Sequence, residues 1–238
     1  MKDASPPTLI LALDVSDPKE ALALRESLTG LVDYFKVGSE LFTAGGPTIV
    51  EELVRSGARV FLDLKFHDIP NTVGRAVAAA GEWGVGIVDV HTSGGSAMMR
   101  AAVEAARQSK SKPLVFGVTV LTHLGEGDLN SIGWEGTSRE QVVRLARLAH
   151  ECGMDGVVAS ALEVSAVREA TSDGLSVLVP GVRPVWASAA HDQKRVATPT
   201  EVARAGARFI VIGRAVTAQP DPREAAARIL DELDIATS

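Results

Sequence analysis

The 238-residue chain has a single cysteine, Cys152, so it can form no internal disulfide, which agrees with a reducing compartment. No apolar run approaches the roughly 20 residues that a membrane-spanning helix needs. The chain also lacks a basic surplus: acids outnumber bases by 30 to 24, for a formal net charge of −6. Binding nucleic acid through counterion release needs a basic face, so a general nucleic-acid partner is excluded and any anion must be held by a local pocket. The opening residues Met1 to Pro7 carry Asp3 and two prolines and no apolar core of the secretory kind. They predict a chain that stays in the cytoplasm and makes no use of a membrane. His67, His91, His123, His150 and His191 show no H-x-x-x-H spacing with a nearby third ligand, so no metal site is expected from them.

Against these absences stands one dense stretch, Val60-Phe61-Leu62-Asp63-Leu64-Lys65-Phe66-His67-Asp68-Ile69-Pro70-Asn71-Thr72. It reads as an apolar strand that ends in two acids and a lysine. Side chains alternate on a strand, so Phe61, Asp63 and Lys65 share one face and Val60, Leu62 and Leu64 the other. Two residues at about 3.3 Å each separate Asp63 from Lys65 by roughly 6.6 Å at Cα, close enough for the charged tips to meet. Asp68 follows in the turn before Pro70 helps to start a helix. A lysine gathered between carboxylates is suited to hold a proton ready for delivery in a site that excludes water. The same residues would also serve as a buried ion pair that fixes a strand end.

Around this stretch the chain alternates strands and helices. Leu9 to Asp14 is an apolar run of strand length ending in an acid, and Asp17-Pro18-Lys19-Glu20 opens a helix with a cap, a first-turn proline and an acidic variant of the capping box. Tyr34 to Gly38 is the second strand, and a helix from about Pro47 to Ser56 precedes the focal strand. A helix from about Asn71 to Trp83 leads to a strand at Gly86 to His91. The turn Thr92 to Ser96 and a helix from about Ala97 to Gln108 come next. Leu114 to Val120 is the fifth strand, followed by a polar loop to Gly136 and a helix capped by Thr137 with Glu140. Asp155 to Ser160, Val177 to Pro180 and Phe209 to Gly213 complete eight strands, with a long loop from Gly181 to Ala197. Thr198-Pro199-Thr200-Glu201 and Asp221-Pro222-Arg223-Glu224 repeat the cap-Pro-x-Glu start.

Eight such units without a low-complexity linker or a shift in composition predict one α/β domain over residues 1–238, a (β/α)₈ barrel of the TIM type. A doubly wound open sheet would normally carry a glycine-rich phosphate fingerprint after its first strand, and Asp14-Val15-Ser16-Asp17 is not one. In a barrel the C-terminal strand ends form the active face. Asp14, Lys36, Asp63, Lys65, Asp89 and His91 all sit at or near such ends. By strand parity Ile10, Ala12 and Asp14 point inward while Leu9, Leu11 and Leu13 face the helices. Gly213 and Arg214 after the eighth strand, with Arg183 after the seventh, lie where barrels often bind phosphate: glycine permits close approach of the backbone and arginine offers a planar fork of donors. Asp14, Asp63, Asp68 and Asp89 are acids of the type that binds Mg²⁺, but Lys36 and Lys65 put positive charge where the ion would sit.

These residues together resemble the orotidine 5′-phosphate decarboxylase family in its bacterial form. The resemblance runs over nearly the whole chain: Leu11-Ala12-Leu13-Asp14, Phe35-Lys36-Val37-Gly38, Phe61 to Thr72, Val120-Leu121-Thr122, Pro180 to Pro184, Asp192-Gln193-Lys194-Arg195 and Ile212-Gly213-Arg214-Ala215. The D-x-K-x-x-D core is shared with sugar-phosphate relatives, and its combination with Gln193 and Arg214 is the more specific signal.

The resemblance implies a cofactor-free and metal-free decarboxylation of orotidine 5′-phosphate to UMP in pyrimidine biosynthesis. It implies that Lys65 protonates C6 and that Lys36, Asp63, Lys65 and Asp68 form an alternating array. Asp68 would come from the other subunit of a homodimer. Asp14 would bind the ribose hydroxyls with help from Lys36, Thr122 would lie near the pyrimidine, and Arg183, Gln193, Gly213 and Arg214 would hold the phosphate. Ile69 and Thr72, from the same matching stretch, join the substrate-binding set. His123 departs from the family, where serine often follows that threonine. Two other readings stand beside this one: a sugar-phosphate decarboxylase or aldolase of the same barrel group, in which a metal-binding acid takes the place of Lys36, and a non-catalytic barrel that senses a nucleotide.

Overall fold

The computed structural model describes residues 5–187 and 197–237. Eight parallel strands close into a barrel in chain order: β1 (Thr8–Ala12), β2 (Tyr34–Gly38), β3 (Arg59–Phe66), β4 (Ile87–His91), β5 (Leu114–Val118), β6 (Gly156–Val158), β7 (Ser176–Val179) and β8 (Phe209–Ile212). The circle is completed where β8 returns to β1, with Leu9 against Ile210 and Leu11 against Ile212. The helices between the strands are α1 (Pro18–Ser27), α2 (Ser39–Arg55), α3 (Pro70–Glu82), α4 (Gly95–Gln108), α5 (Glu126–Ser131), α6 (Ser138–Glu151), α7 (Val164–Ala170), α8 (Pro199–Ala205), α9 (Arg214–Thr217) and α10 (Pro222–Thr237). This is the (β/α)₈ barrel expected from the alternation of strands and helices. Among the described residues, no helix is long and apolar enough to cross a membrane.

The strands are apolar on both faces, as a parallel sheet covered by helices requires. Ile10, Ala12, Tyr34, Phe61, Phe116 and Phe209 fill the barrel interior. Leu9, Leu11, Leu13, Val60 and Leu62 face outward and pack with helix residues such as Val73, Val77 and Ala80. The parity read from the sequence therefore holds, and it positions the site. Continuing each inner row by two residues leads from Ala12 to Asp14, from Tyr34 to Lys36, from Phe61 to Asp63 and from Ile87 to Asp89. Polar side chains thus emerge at the mouth from a floor of buried rings.

Helix starts follow their local signals closely. Thr137 and Thr198 make reciprocal boxes with Glu140 and Glu201, each hydroxyl accepting from a glutamate amide at 3.2 Å while the glutamate accepts from the threonine amide at 2.8 Å. Asp221 accepts from the amides of Arg223 and Glu224 at 2.9 and 3.0 Å. Such caps contribute about 1 kcal/mol each. At α1 the bond differs from the expected box: Asp17 accepts from the amide of Lys19 at 2.9 Å rather than closing on Glu20.

Four α-helical pieces escape the sequence reading, the shortest being α9, the four residues after Gly213. The helix expected from Pro47 is only the second part of α2, which begins at Ser39 and is interrupted at Gly46, where φ is 60° and ψ −159°. Gly45-Gly46-Pro47 looks like a stop in sequence, but Gly46 supplies a left-handed kink after which Pro47 starts the next turn. The polar loop before Gly136 contains α5, whose six residues are too few to display a helical period. The helix α7 lacks any side-chain cap that would have marked it.

Candidate active site

A pocket of about 590 Å³ opens at the C-terminal end of the barrel. Asp14, Lys36, Asp63, Lys65, Thr122, Arg183, Gly213 and Arg214 all line it, together with Asp89 and His123. Its walls are apolar, with Val118, Val158, Leu178 and Val211 continuing the inner face of β5 to β8. Asp68, Ile69 and Thr72 are exposed at the start of α3 and stand outside this pocket. There Asp68 accepts from the amide of Ile69 at 2.6 Å, and Ile69 is 65% exposed. Gln193 lies outside the described residues, as do Asp192, Lys194 and Arg195.

The charges form a chain of alternating sign. Lys36 Nζ lies 2.9 Å from Asp14 Oδ1 and 3.3 Å from Asp63 Oδ2, and Lys65 Nζ donates to Asp63 Oδ1. Lys36 and Asp63 have side chains only 12% exposed, whereas Lys65 is 36% exposed toward the pocket. Burial works to lower the Lys36 ammonium, but Asp63 and Asp14 outweigh it and raise it above its ordinary value. Burial likewise favours a neutral Asp63, yet Lys36 and then Lys65 hold its carboxyl down at about 2. Removing one member of such a buried pair leaves an uncompensated charge, at a cost of about 3–5 kcal/mol. Gly38 leaves room for this packing: a Cβ there would stand 2.8 Å from Lys36 Nζ and displace the ammonium from its two carboxylates.

The lysine at the centre does not sit on a regular strand. Leu62 pairs with Val88 and Phe66 with Val90, so four residues of β3 advance along two of β4. Lys65 lies within this bulge at a φ of 49°. A left-handed conformation costs a residue with a Cβ about 1–2 kcal/mol, and such strain persists where surrounding contacts over-determine it. The alternation expected from the sequence does bring Lys65 and Asp63 together, but across a distorted ladder. Bulges of this kind re-aim a side chain.

Asp89, visible in the sequence only as an acid ending a strand, is the residue whose part here was missed. It is 1% exposed and its Oδ1 accepts from the backbone amide of Lys65 at 2.8 Å. Its Oδ2 lies 4.0 Å from Lys65 Nζ. Burial, and then the negative charge of Asp63, push its carboxyl well above the usual range. Beside it the rings of His91 and His67 stand 5.0 Å apart. Burial, then His67 and Lys65, lower His91 to about 4.

Paired lysines and carboxylates facing an apolar wall from β5 to β8, with Arg183 and Arg214 also lining the pocket, suit an anionic molecule and a proton transfer. Comparisons with known proteins point the same way. The model of the orotidine 5′-phosphate decarboxylase / HUMPS family matches residues 7–229. The orotidine 5′-phosphate decarboxylase of Trichlorobacter lovleyi is 46% identical over 235 residues, 98% of this chain and 97% of that one. That of Alkalilimnicola ehrlichii is 48% identical over 225 residues, 94% and 95% of the two chains. The crystal structure of orotidine 5′-phosphate decarboxylase from Lactobacillus acidophilus superposes with a TM-score of 0.82 at 33% identity, covering 97% of this chain and all of that one. Similarity that spans residues 7–229, from the first strand into the last helix, places this chain in the orotidine 5′-phosphate decarboxylase / HUMPS family.

Proposed function

We propose that the chain decarboxylates orotidine 5′-phosphate to UMP, a step in making pyrimidine nucleotides, and that Lys65 delivers the proton. The observation that carries this reading is the array Asp14–Lys36–Asp63–Lys65 along one side of the pocket. Metal-assisted sugar-phosphate chemistry on the same barrel would call for an acid at the position of Lys36. Here that position is an ammonium clamped between two carboxylates, and it supports a reaction that uses neither metal nor cofactor.

The chemistry follows from the residues. The bond from C6 to the carboxylate breaks, its electron pair stays on C6, and CO₂ leaves. The pyrimidine offers that pair no delocalising sink, so the barrier falls only if a positive charge waits beside C6. The Lys65 ammonium supplies it. One N–H bond of Lys65 then breaks as the C6–H bond forms, leaving an amine that regains a proton from water. Asp63 and Lys36 fix the ammonium, and Asp14 at the rim is assigned to the ribose hydroxyls. Thr122 is assigned to the pyrimidine edge. Arg183, Gly213, Arg214 and Gln193 are assigned to the phosphate. The exposed position of Asp68, Ile69 and Thr72 outside the pocket of their own chain supports a role in the site of a second subunit, in a two-fold dimer.

The test is the loss of orotidylate absorbance in the presence of EDTA. Turnover that persists with the chelator supports the reading. Turnover that disappears with EDTA and returns with a divalent ion points to the metal-dependent alternative, and binding of the nucleotide without turnover points to a sensor.

A further inference from the structure

We propose that Asp89 is a positioning residue for the proton donor, its Oδ1 holding the left-handed turn at Lys65 from which the ammonium enters the pocket. The inference rests on the decarboxylase reading for its kinetic consequence, but its geometry stands alone. The β3 ladder gains its extra residues between Leu62 and Phe66, and Lys65 occupies the left-handed conformation inside that bulge. An amide in a bulge has lost its ladder partner, and an unsatisfied buried donor is costly. The Lys65 amide instead finds Asp89 at 2.8 Å, on the neighbouring strand. One side chain therefore satisfies the bulge that aims the lysine.

The other oxygen explains why an acid can occupy this place. Asp89 Oδ2 is buried and, as a carboxylate oxygen, finds no hydrogen-bond partner among the described residues. The charged groups facing it are Asp63 and Lys65 on β3, with Lys36 behind Asp63; His91 follows two residues on along its own strand, and β5 presents Phe116, its register partner, and Val118. A proton on the carboxyl gives it a use, because the side chains of Asp89 and Asp63 lie within hydrogen-bonding reach of each other. In this form Asp89 behaves as a neutral acid with one acceptor toward the Lys65 amide and one donor toward Asp63. It thus braces both partners of the Lys65–Asp63 pair without adding another charge to the pocket.

An amide side chain offers the same two groups, and an aliphatic one offers neither. Asp89→Val should lower kcat for orotidylate by about 10- to 100-fold, the scale of a small misplacement of a reacting group. Its KM should stay within about threefold, since the residues assigned to phosphate and ribose are untouched. Asp89→Asn should recover most of the lost kcat. If Asp89→Asn is as slow as Asp89→Val, or Asp89→Val turns over at the wild-type rate, or the loss falls on KM, the inference is overturned. Amide hydrogen exchange at Lys65 decides the case even if Asp89→Val does not fold: the amide should be protected in the wild type and in Asp89→Asn, and free exchange in the wild type would overturn the proposal. A wild-type protein that failed to decarboxylate orotidylate would count against the proposed function and leave the exchange measurement to judge Asp89.

Discussion

The mouth of the barrel has two unlike halves. From β1 to β4, ionised side chains grow directly out of the strands or their ends: Asp14, Lys36, Asp63 and Lys65, joined to one another and tied through the Lys65 amide to Asp89. From β5 to β8 the corresponding rows end in Val118, Val158, Leu178 and Val211, and among the described residues that line the pocket charge appears there only beyond the strands, in Arg183 and Arg214. Side chains on paired strands are held to a fraction of an ångström by the ladder, whereas loop side chains lack that frame. The difference fits a division of labour in which the strand-borne half does chemistry, where small displacements are costly, and the loop-borne half grips.

Deleting the centre of the first half should have the largest effect. Lys65→Ala removes the group assigned as proton donor and as the charge beside C6, and turnover should fall by at least the roughly 10²- to 10³-fold typical of a lost oxyanion donor. Alanine bears much the same left-handed strain, so the backbone should change little. Affinity for UMP should survive because the arginines are intact. Turnover within tenfold of wild type would remove Lys65 from its assigned role.

The second half is broken at Arg214. Arg214→Ala should lower kcat/KM for orotidylate by about 10- to 100-fold although it stands across the pocket from Lys65, because binding energy at a non-reacting group can be used to stabilise the transition state. The loss should nearly vanish with orotidine, which has no phosphate. Equal losses for both substrates would show that Arg214 is not the phosphate ligand.

How much of each half was legible in sequence has a physical explanation. Strand parity is a local property, so the inward row through Ala12, Tyr34 and Phe61 and the residues that extend it could be read from spacing alone. The caps at Thr137 and Thr198 were legible for the same reason. Asp89 was visible as a strand-end acid, but its bond to the Lys65 amide depends on a register shift between two strands, and register is a property of pairs. The first part of α2 was hidden by a glycine pair that kinks a helix instead of ending it. Gln193, which the resemblance assigns to the phosphate, lies outside the described residues.

The assignment of Asp68 tests whether the strand-borne half is complete within one chain. If the chain forms the proposed two-fold dimer, mixing Lys65→Ala with Asp68→Asn, each expected to be inactive alone, under conditions of subunit exchange gives hybrids in half of the dimers. With Asp68 acting across a two-fold axis, one site of each hybrid carries both defects and the other is wild type, so activity should recover to about a quarter of wild type. If Asp68 serves its own chain, every hybrid site keeps one defect and exchanged mixtures stay inactive.

The smallest effect concerns stability, and it separates Asp89 from the ionised members of its own half. Asp63 is held below the ordinary carboxylate range, so its contribution is present above the unfolded value near 4 and is lost as pH falls toward about 2. Asp89 is displaced the other way, by burial first and then by Asp63. Its neutral form is the one the fold accommodates, so its contribution is fully present below the unfolded value and is lost as pH rises through the folded one. Between those limits the unfolded chain has given up the Asp89 proton while the folded chain keeps it, and wild-type stability declines with pH on this account. Asparagine cannot ionise. The stability of Asp89→Asn relative to wild type should therefore increase upward from about pH 4, by at most about 1.4 kcal/mol per pH unit. Denaturant unfolding of both proteins across that range measures the difference directly. A difference that stays flat would mean that Asp89 ionises in the folded protein as readily as in the unfolded chain, and its second oxygen would then carry a charge into the pocket rather than a proton toward Asp63.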